Sequence, residues 1–188
     1  MTRPVIYAAL VFAAQEDSTM TITEAFREEF EREIPRTRKA LESVPTGRHD
    51  WKPHEKSMPL GYLAALVATL PSWAWFTIKQ DELDIRPVGK EPYKMPEWTT
   101  TADLLKIFDD GVAQAREALQ GTDDDHLMKP WKFVVAGQVM SEDPRHVVLR
   151  DTVFNHLSHH RGQLTVYLRS NGKPVPAIYG PSADERPF

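Results

Sequence analysis

The chain has 188 residues, 41% of them hydrophobic and 27% charged, with a formal net charge of -4, and this suits one globular domain with a sizeable core. The acidic balance and the absence of any long Lys/Arg cluster give no electrostatic footprint for DNA or RNA. No cysteine is present, which excludes disulfides, thiolate ligands and a cysteine nucleophile, so any metal ion would sit on nitrogen and oxygen donors.

Residues 1–15 carry Arg3, an apolar run from Val5 to Ala14 and small residues near its end, the outline of a short signal peptide with a weak basic region. Met20, directly ahead of Thr21-Ile22-Thr23-Glu24, offers an alternative start. Residues 1–20 are therefore read as an extension the fold does not need, and residues 21–188 as the domain. A cytoplasmic location is expected, with export as the second reading if residues 1–15 act as a signal. No later segment is expected to reach the roughly 18 apolar residues of a membrane span.

From Thr21 to about Val44, Ile22, Phe26, Phe30, Ile34, Leu41 and Val44 mark one side of a helix, while Glu24, Glu28, Glu31, Arg32, Arg38 and Lys39 mark the other. Pro35 inside it predicts a kink or a split. Pro45 to Lys56 is a loop holding His49 and His54. Ser57 is expected to cap a second helix, with Leu60, Leu63, Leu66, Val67, Leu70, Trp73 and Phe76 on its buried side. The breadth of this apolar surface suggests a further contact with a second copy. Asp81 to Thr99, with three prolines and Gly89, reads as a long crossing loop. Thr101 opens a third helix, in which Leu104, Leu105, Phe108, Val112, Ala115 and Leu119 recur at three and four before Gly121. Trp131 to Met140 predicts a short extended segment or hairpin about Gly137, without amounting to a sheet.

The last helix is expected over 143–172, with Asp143 as N-cap, Pro144 in its first position and Gly172 at its C-terminal end. Leu149, Val153, His156, His160, Leu164 and Tyr167 then form one stripe. Two imidazoles replace apolar residues in a core seam, one helical turn apart. A buried polar ring without a partner costs on the order of 1–3 kcal/mol. Each must therefore hydrogen-bond, hold a water or ligate a metal ion, and the spacing of four suits chelation of one ion. The tail KPVPAIYGPSADERPF is expected to run as an extended, packed strap.

The run HLSHHRGQLTVYLR from His156, continued by NGKPVPAIYGPSADE, and LGYLAALVATLPSW at Leu60 together resemble the DinB-like superfamily over most of residues 21–185. The resemblance implies an all-α four-helix bundle, up-down-down-up with long crossover connections and often dimeric. It also implies a divalent metal ion (Ni, Zn, Mn or Fe) held by three histidines, two of them mapping onto His156 and His160. The third, from the second helix, maps onto Leu66, so the expected site is weakened or empty. Tyr62, a turn earlier, is a poor ligand at neutral pH because a phenol titrates near 10. His49, His54, Glu55 and His126 are the candidate substitutes, and Arg161 and Gln163 are read as orienting the histidines or anchoring the tail.

Relatives with a known activity are metal-dependent thiol transferases or isomerases that use a low-molecular-weight thiol. The first functional expectation is a relative of these enzymes with a weakened site. The alternative is a non-catalytic homodimer that binds a small molecule or a partner helix.

Overall fold

The computed structural model describes residues 19–186. The expected extension therefore falls almost wholly outside the described residues. Most of the remainder is helical. α1 spans Ile22–Glu42 and α2 Leu60–Thr69; a 3-10 turn at Leu70–Ser72 leads on into α3, Trp73–Lys79. α4 spans Thr101–Gln120 and α5 Asp124–Leu127. α6, Arg145–Leu149, continues through a π-helical segment, Arg150–Asn155, into α7, His156–Ser170. α1 and α2 each pack against both α4 and α7, and the leucines, phenylalanines and alanines of these four elements make one core.

The helix ends are built locally. Thr21 and Glu24 form a reciprocal capping box at α1, and Thr100 and Asp103 form one at α4, a residue earlier than the expected cap at Thr101. Hydrogen bonds from the Thr100 backbone, first of all, hold the Asp103 carboxyl down at about 2. α1 runs through Pro35 as a single helix, so the expected split does not occur. Pro35 is exposed, and there the carbonyl it leaves unpaired can be met by water.

Ser57 does not cap α2. Pro59 occupies the N-cap position, and the N–H groups of Leu60 and Gly61 donate instead to the carbonyls of Trp51 and His49, both at 2.9 Å. Gly61 is what lets the 45–57 loop cross here, since a Cβ at this position would lie 3.0 Å from the His49 Cβ. The stripe expected through the second helix also drifts at its end. The 3-10 turn changes the angular phase, so Ala74, Thr77 and Ile78 are buried while Trp73 and Phe76 are half-exposed. Taken as one continuous stretch, Leu60–Lys79 is long and apolar enough to cross a membrane, contrary to the expectation that no segment would be; most of it is buried inside the protein.

The all-α expectation is corrected by a three-stranded sheet. β1 (Glu82–Asp84) lies parallel to β2 (Pro130–Val135), which pairs antiparallel with β3 (Gln138–Pro144). The hairpin expected about Gly137 is present as β2 and β3; what was not expected is that β1, three residues long and so without readable alternation, joins it to make a sheet. Asp143 and Pro144 belong to β3, so the expected N-cap role of Asp143 is also corrected. The helix starts at Arg145, whose N–H donates to the Lys129 carbonyl at 3.0 Å.

At the other end Gly172, with φ 68°, terminates α7. The N–H groups of Gly172 and Lys173 donate to the carbonyls of Arg169 and Leu168, a Schellman closure. Beyond it the tail lacks regular structure and is partly packed, with Pro176 buried and Val175 against the core.

Candidate functional site

His156 and His160 lie where the long helical stretch changes character. The six residues before His156 are π-helical, an arrangement that recurs at functional sites because it is maintained at a cost in backbone geometry. From His156 onward the helix is regular, and spacing by four stacks the two rings with centroids 4.6 Å apart. His160 is 9% exposed and His156 is half-buried. The stripe is present as expected, since Leu149, Val153, Leu164 and Tyr167 are all buried.

The two rings are held differently. His160 Nδ1 lies 2.8 Å from Gln163 Oε1; the amide oxygen accepts, so Nδ1 carries the proton and Nε2 keeps its lone pair. The Gln163 amide nitrogen in turn donates to His159 Nε2 at 3.0 Å, and the His159 ring stands 4.8 Å from that of His160. Gln163 thus orients two imidazoles at once, from three and four residues along the same helix. The edge of His156 meets Trp73 at 6.3 Å between centroids, and Trp73 meets Tyr93 at the same separation. Tyr93 comes from the crossing loop, where no periodicity marks it, and the sequence reading missed it.

Burial, before any other cause, lowers the pKa of both His156 and His160, and the positive charge each would carry beside neighbouring histidines lowers it further. Both rings are therefore neutral at physiological pH, with nitrogen lone pairs available to accept a proton or a hydrogen bond. Burial also raises the Tyr93 phenol, which stays protonated as a donor.

The expected substitutes for a third ligand lie elsewhere. His126 Nε2 donates to the Ile78 carbonyl at 2.8 Å. The exposed His54 accepts at Nδ1 from the Lys56 N–H at 3.2 Å, and Glu55 is exposed beside it. His49 rests on Trp98, with ring centroids 4.1 Å apart. Leu66 is buried in the core. Among the described residues no group of three His, Cys, Asp or Glu side chains could hold a metal ion.

Arg161 is not among the residues of the expected stripe, yet it is 1% exposed. Its guanidinium donates to Thr37 Oγ1 at 2.8 Å, to a Glu33 carboxylate oxygen at 2.5 Å and to the Tyr179 hydroxyl at 2.5 Å. It anchors the tail, the second of the two roles expected for it, while Gln163 takes the orienting role.

A family model described as the DinB family matches residues 29–186. The uncharacterized protein YrdA of Bacillus subtilis strain 168 is 52% identical over 33 residues, 18% of this chain. The chain spans only 20% of that relative's length. Among solved structures, a DinB-like protein of Bacillus cereus ATCC 10987 superposes with a TM-score of 0.65 at 24% identity, covering 85% of this chain and 99% of its own. The DinB-like protein YjoA of Bacillus subtilis does so with a TM-score of 0.57 at 16% identity, covering 84% and 96%.

Proposed function

The chain belongs to the DinB family, and on that premise we propose that it is a small-molecule-binding member rather than a metal-dependent thiol transferase or isomerase, its helices forming an up-down-down-up four-helix bundle. The observation that carries this reading is the donor set. Among the described residues no group of three His, Cys, Asp or Glu side chains could hold a metal ion, His159 with its ring 4.8 Å from that of His160 included, and leucine occupies position 66. Two neutral imidazoles are a weak chelate beside the three or four ligands of a stable site. The residues therefore do not fit a resident Ni, Zn, Mn or Fe ion.

What the cluster offers instead is hydrogen bonding without charge. His160, fixed by Gln163, presents an Nε2 acceptor; His156 presents a second neutral ring, with Trp73 as an aromatic wall. A ligand with an N–H or O–H donor and an apolar body matches such a surface, because an unmatched buried acceptor would cost on the order of 1–3 kcal/mol.

The test is the metal content of protein purified without a histidine tag, compared with its Leu66→His variant. Wild type is expected to hold well under one equivalent of any transition metal, and the variant to approach one. Near-stoichiometric Ni, Zn, Mn or Fe in the wild type would mean that a further ligand completes the site, and the transferase reading would then replace this one.

A further inference from the structure

A hollow lies across the first turns of α2 and shares no lining residue with the histidine cluster. The 45–57 loop and the end of the crossing loop form there, against α2, an open hollow of about 400 Å³, with His49, Asp50, Tyr62, Met95, Glu97 and Trp98 on its walls. Gly61 joins the two loops. Its N–H donates to the His49 carbonyl at 2.9 Å, and its own carbonyl accepts from the Trp98 indole N–H at 3.0 Å. With the indole N–H committed and the His49 ring tilted against it at 4.1 Å between centroids, Trp98 is a fixed aromatic wall, whereas Met95 beside it is deformable. Asp50 and Glu97 stand exposed on the cavity wall, and among the described residues neither has an ion-pair or hydrogen-bond partner in the protein. Among the described residues some surface carboxylates, such as Glu31, Asp110 and Glu185, are matched to Arg116, Lys106 and Lys39, and others, such as Glu55 and Glu117, are not; what sets Asp50 and Glu97 apart is that both border the same aromatic-walled hollow.

We propose that this cavity binds a primary ammonium compound with an aromatic body, the ring lying against Trp98 and Met95 and the ammonium group facing Asp50 and Glu97. The chemistry follows from the walls. Apolar and aromatic side chains favour burial of a flat ring. An ammonium group is attracted both by the two carboxylates and by the faces of Trp98 and Tyr62. An anion of the same shape meets repulsion from the same pair. The proposal is independent of what the histidine cluster binds.

The experiment is titration of the full chain with 2-phenylethylamine, followed by NMR at the Trp98 indole N–H resonance and assigned with a Trp98→Phe variant. Phenylacetate, the anionic counterpart, and 2-phenylethanol, the neutral one, are titrated in parallel. Saturable shifts with the amine, and far weaker ones with phenylacetate, are the expected result. In the Asp50→Asn/Glu97→Gln protein the amine should bind roughly three- to ten-fold more weakly, since each charge is exposed and contributes as a surface charge does. Binding of 2-phenylethanol should not change. Both substitutions are conservative and at exposed positions, so the variant keeps its fold, which its indole spectrum checks. Equal binding of amine and phenylacetate, or no saturable shift with the amine, overturns the proposal. So does unchanged amine binding in the double variant.

Discussion

Arg161 shows how one buried charge can tie a tail to a core. Burial alone would raise the Glu33 carboxyl, but hydrogen bonds from Arg161 and Tyr179 overcome it and hold the group below the usual carboxylate range. The Tyr179 hydroxyl accepts from Arg161 and donates to Glu33 at 2.8 Å, so all three groups are satisfied together. Removing one member of such a set costs more than the contact itself, because the remaining charge stays buried. Arg161→Met should destabilise the protein by roughly 3 kcal/mol and Tyr179→Phe by about 1 kcal/mol, measured by urea unfolding at pH 7.5. A near-neutral Arg161→Met would remove it as the anchor. The histidine pair makes a different prediction. The unfolded rings take up protons near pH 6.5 and the folded ones only at lower pH. The unfolded state therefore binds more protons in that window, and stability is lost as pH falls from about 6.5 through the depressed values. The loss in urea unfolding between pH 7.5 and 5.5 should be clearly smaller in His156→Gln/His160→Gln than in wild type; equal losses would show that the pair is not the cause. Glu33, also depressed, acts only at lower pH.

The hairpin between β2 and β3 turns at Ala136-Gly137, with φ of 52° and 75°, so its chain reversal uses two left-handed residues. Asp84, the last residue of β1, accepts from the N–H groups of Ala136 and Gly137 at 3.1 and 2.8 Å and so ties β1 to the turn. Gly137→Ala adds a side chain where φ is positive and should cost about 1 kcal/mol, read as a lower urea midpoint; an unchanged midpoint would mean that the turn relaxes freely. Helix centres are legible in the amino-acid sequence through their regular apolar spacing: Phe26, Phe30, Leu63, Phe108 and Leu164 are all buried where periodicity puts them. Helix starts are legible only where the cap is local, as at Thr21. At Leu60 and Arg145 the capping carbonyls come from His49, Trp51 and Lys129, up to sixteen residues away, and no local signal announces them. Trp73 turns toward His156 because of a 3-10 turn, and Arg161 is buried because α7 packs on α1 as well as α2. A single-stripe reading of either helix misses the second flank.

At the scale of the molecule, the tail closes over α1 and α7 together. Lys39 meets Glu185 at 2.7 Å and Arg169 pairs with Asp184, while Tyr179 reaches Glu33 and Arg161 between them. The histidine pair is legible as a candidate because polar rings interrupt an apolar seam. The cavity at Trp98 is not, since it exists only where two non-periodic loops meet across Gly61. The core also sets the order of events during synthesis. Leu60–Lys79 is apolar enough to pass for a membrane span, and in the finished protein it is covered by α4 and α7. α7 ends at Ser170, about 90 residues after Lys79, so at roughly 5–20 residues per second it is complete some 5–20 s after α2 and α3. For that interval a nascent chain displays a greasy twenty-residue segment with its α7 cover unmade. The ribosome-bound intermediate is then a natural client for chaperones that hold apolar segments, and premature termination before α7 leaves a product prone to aggregate.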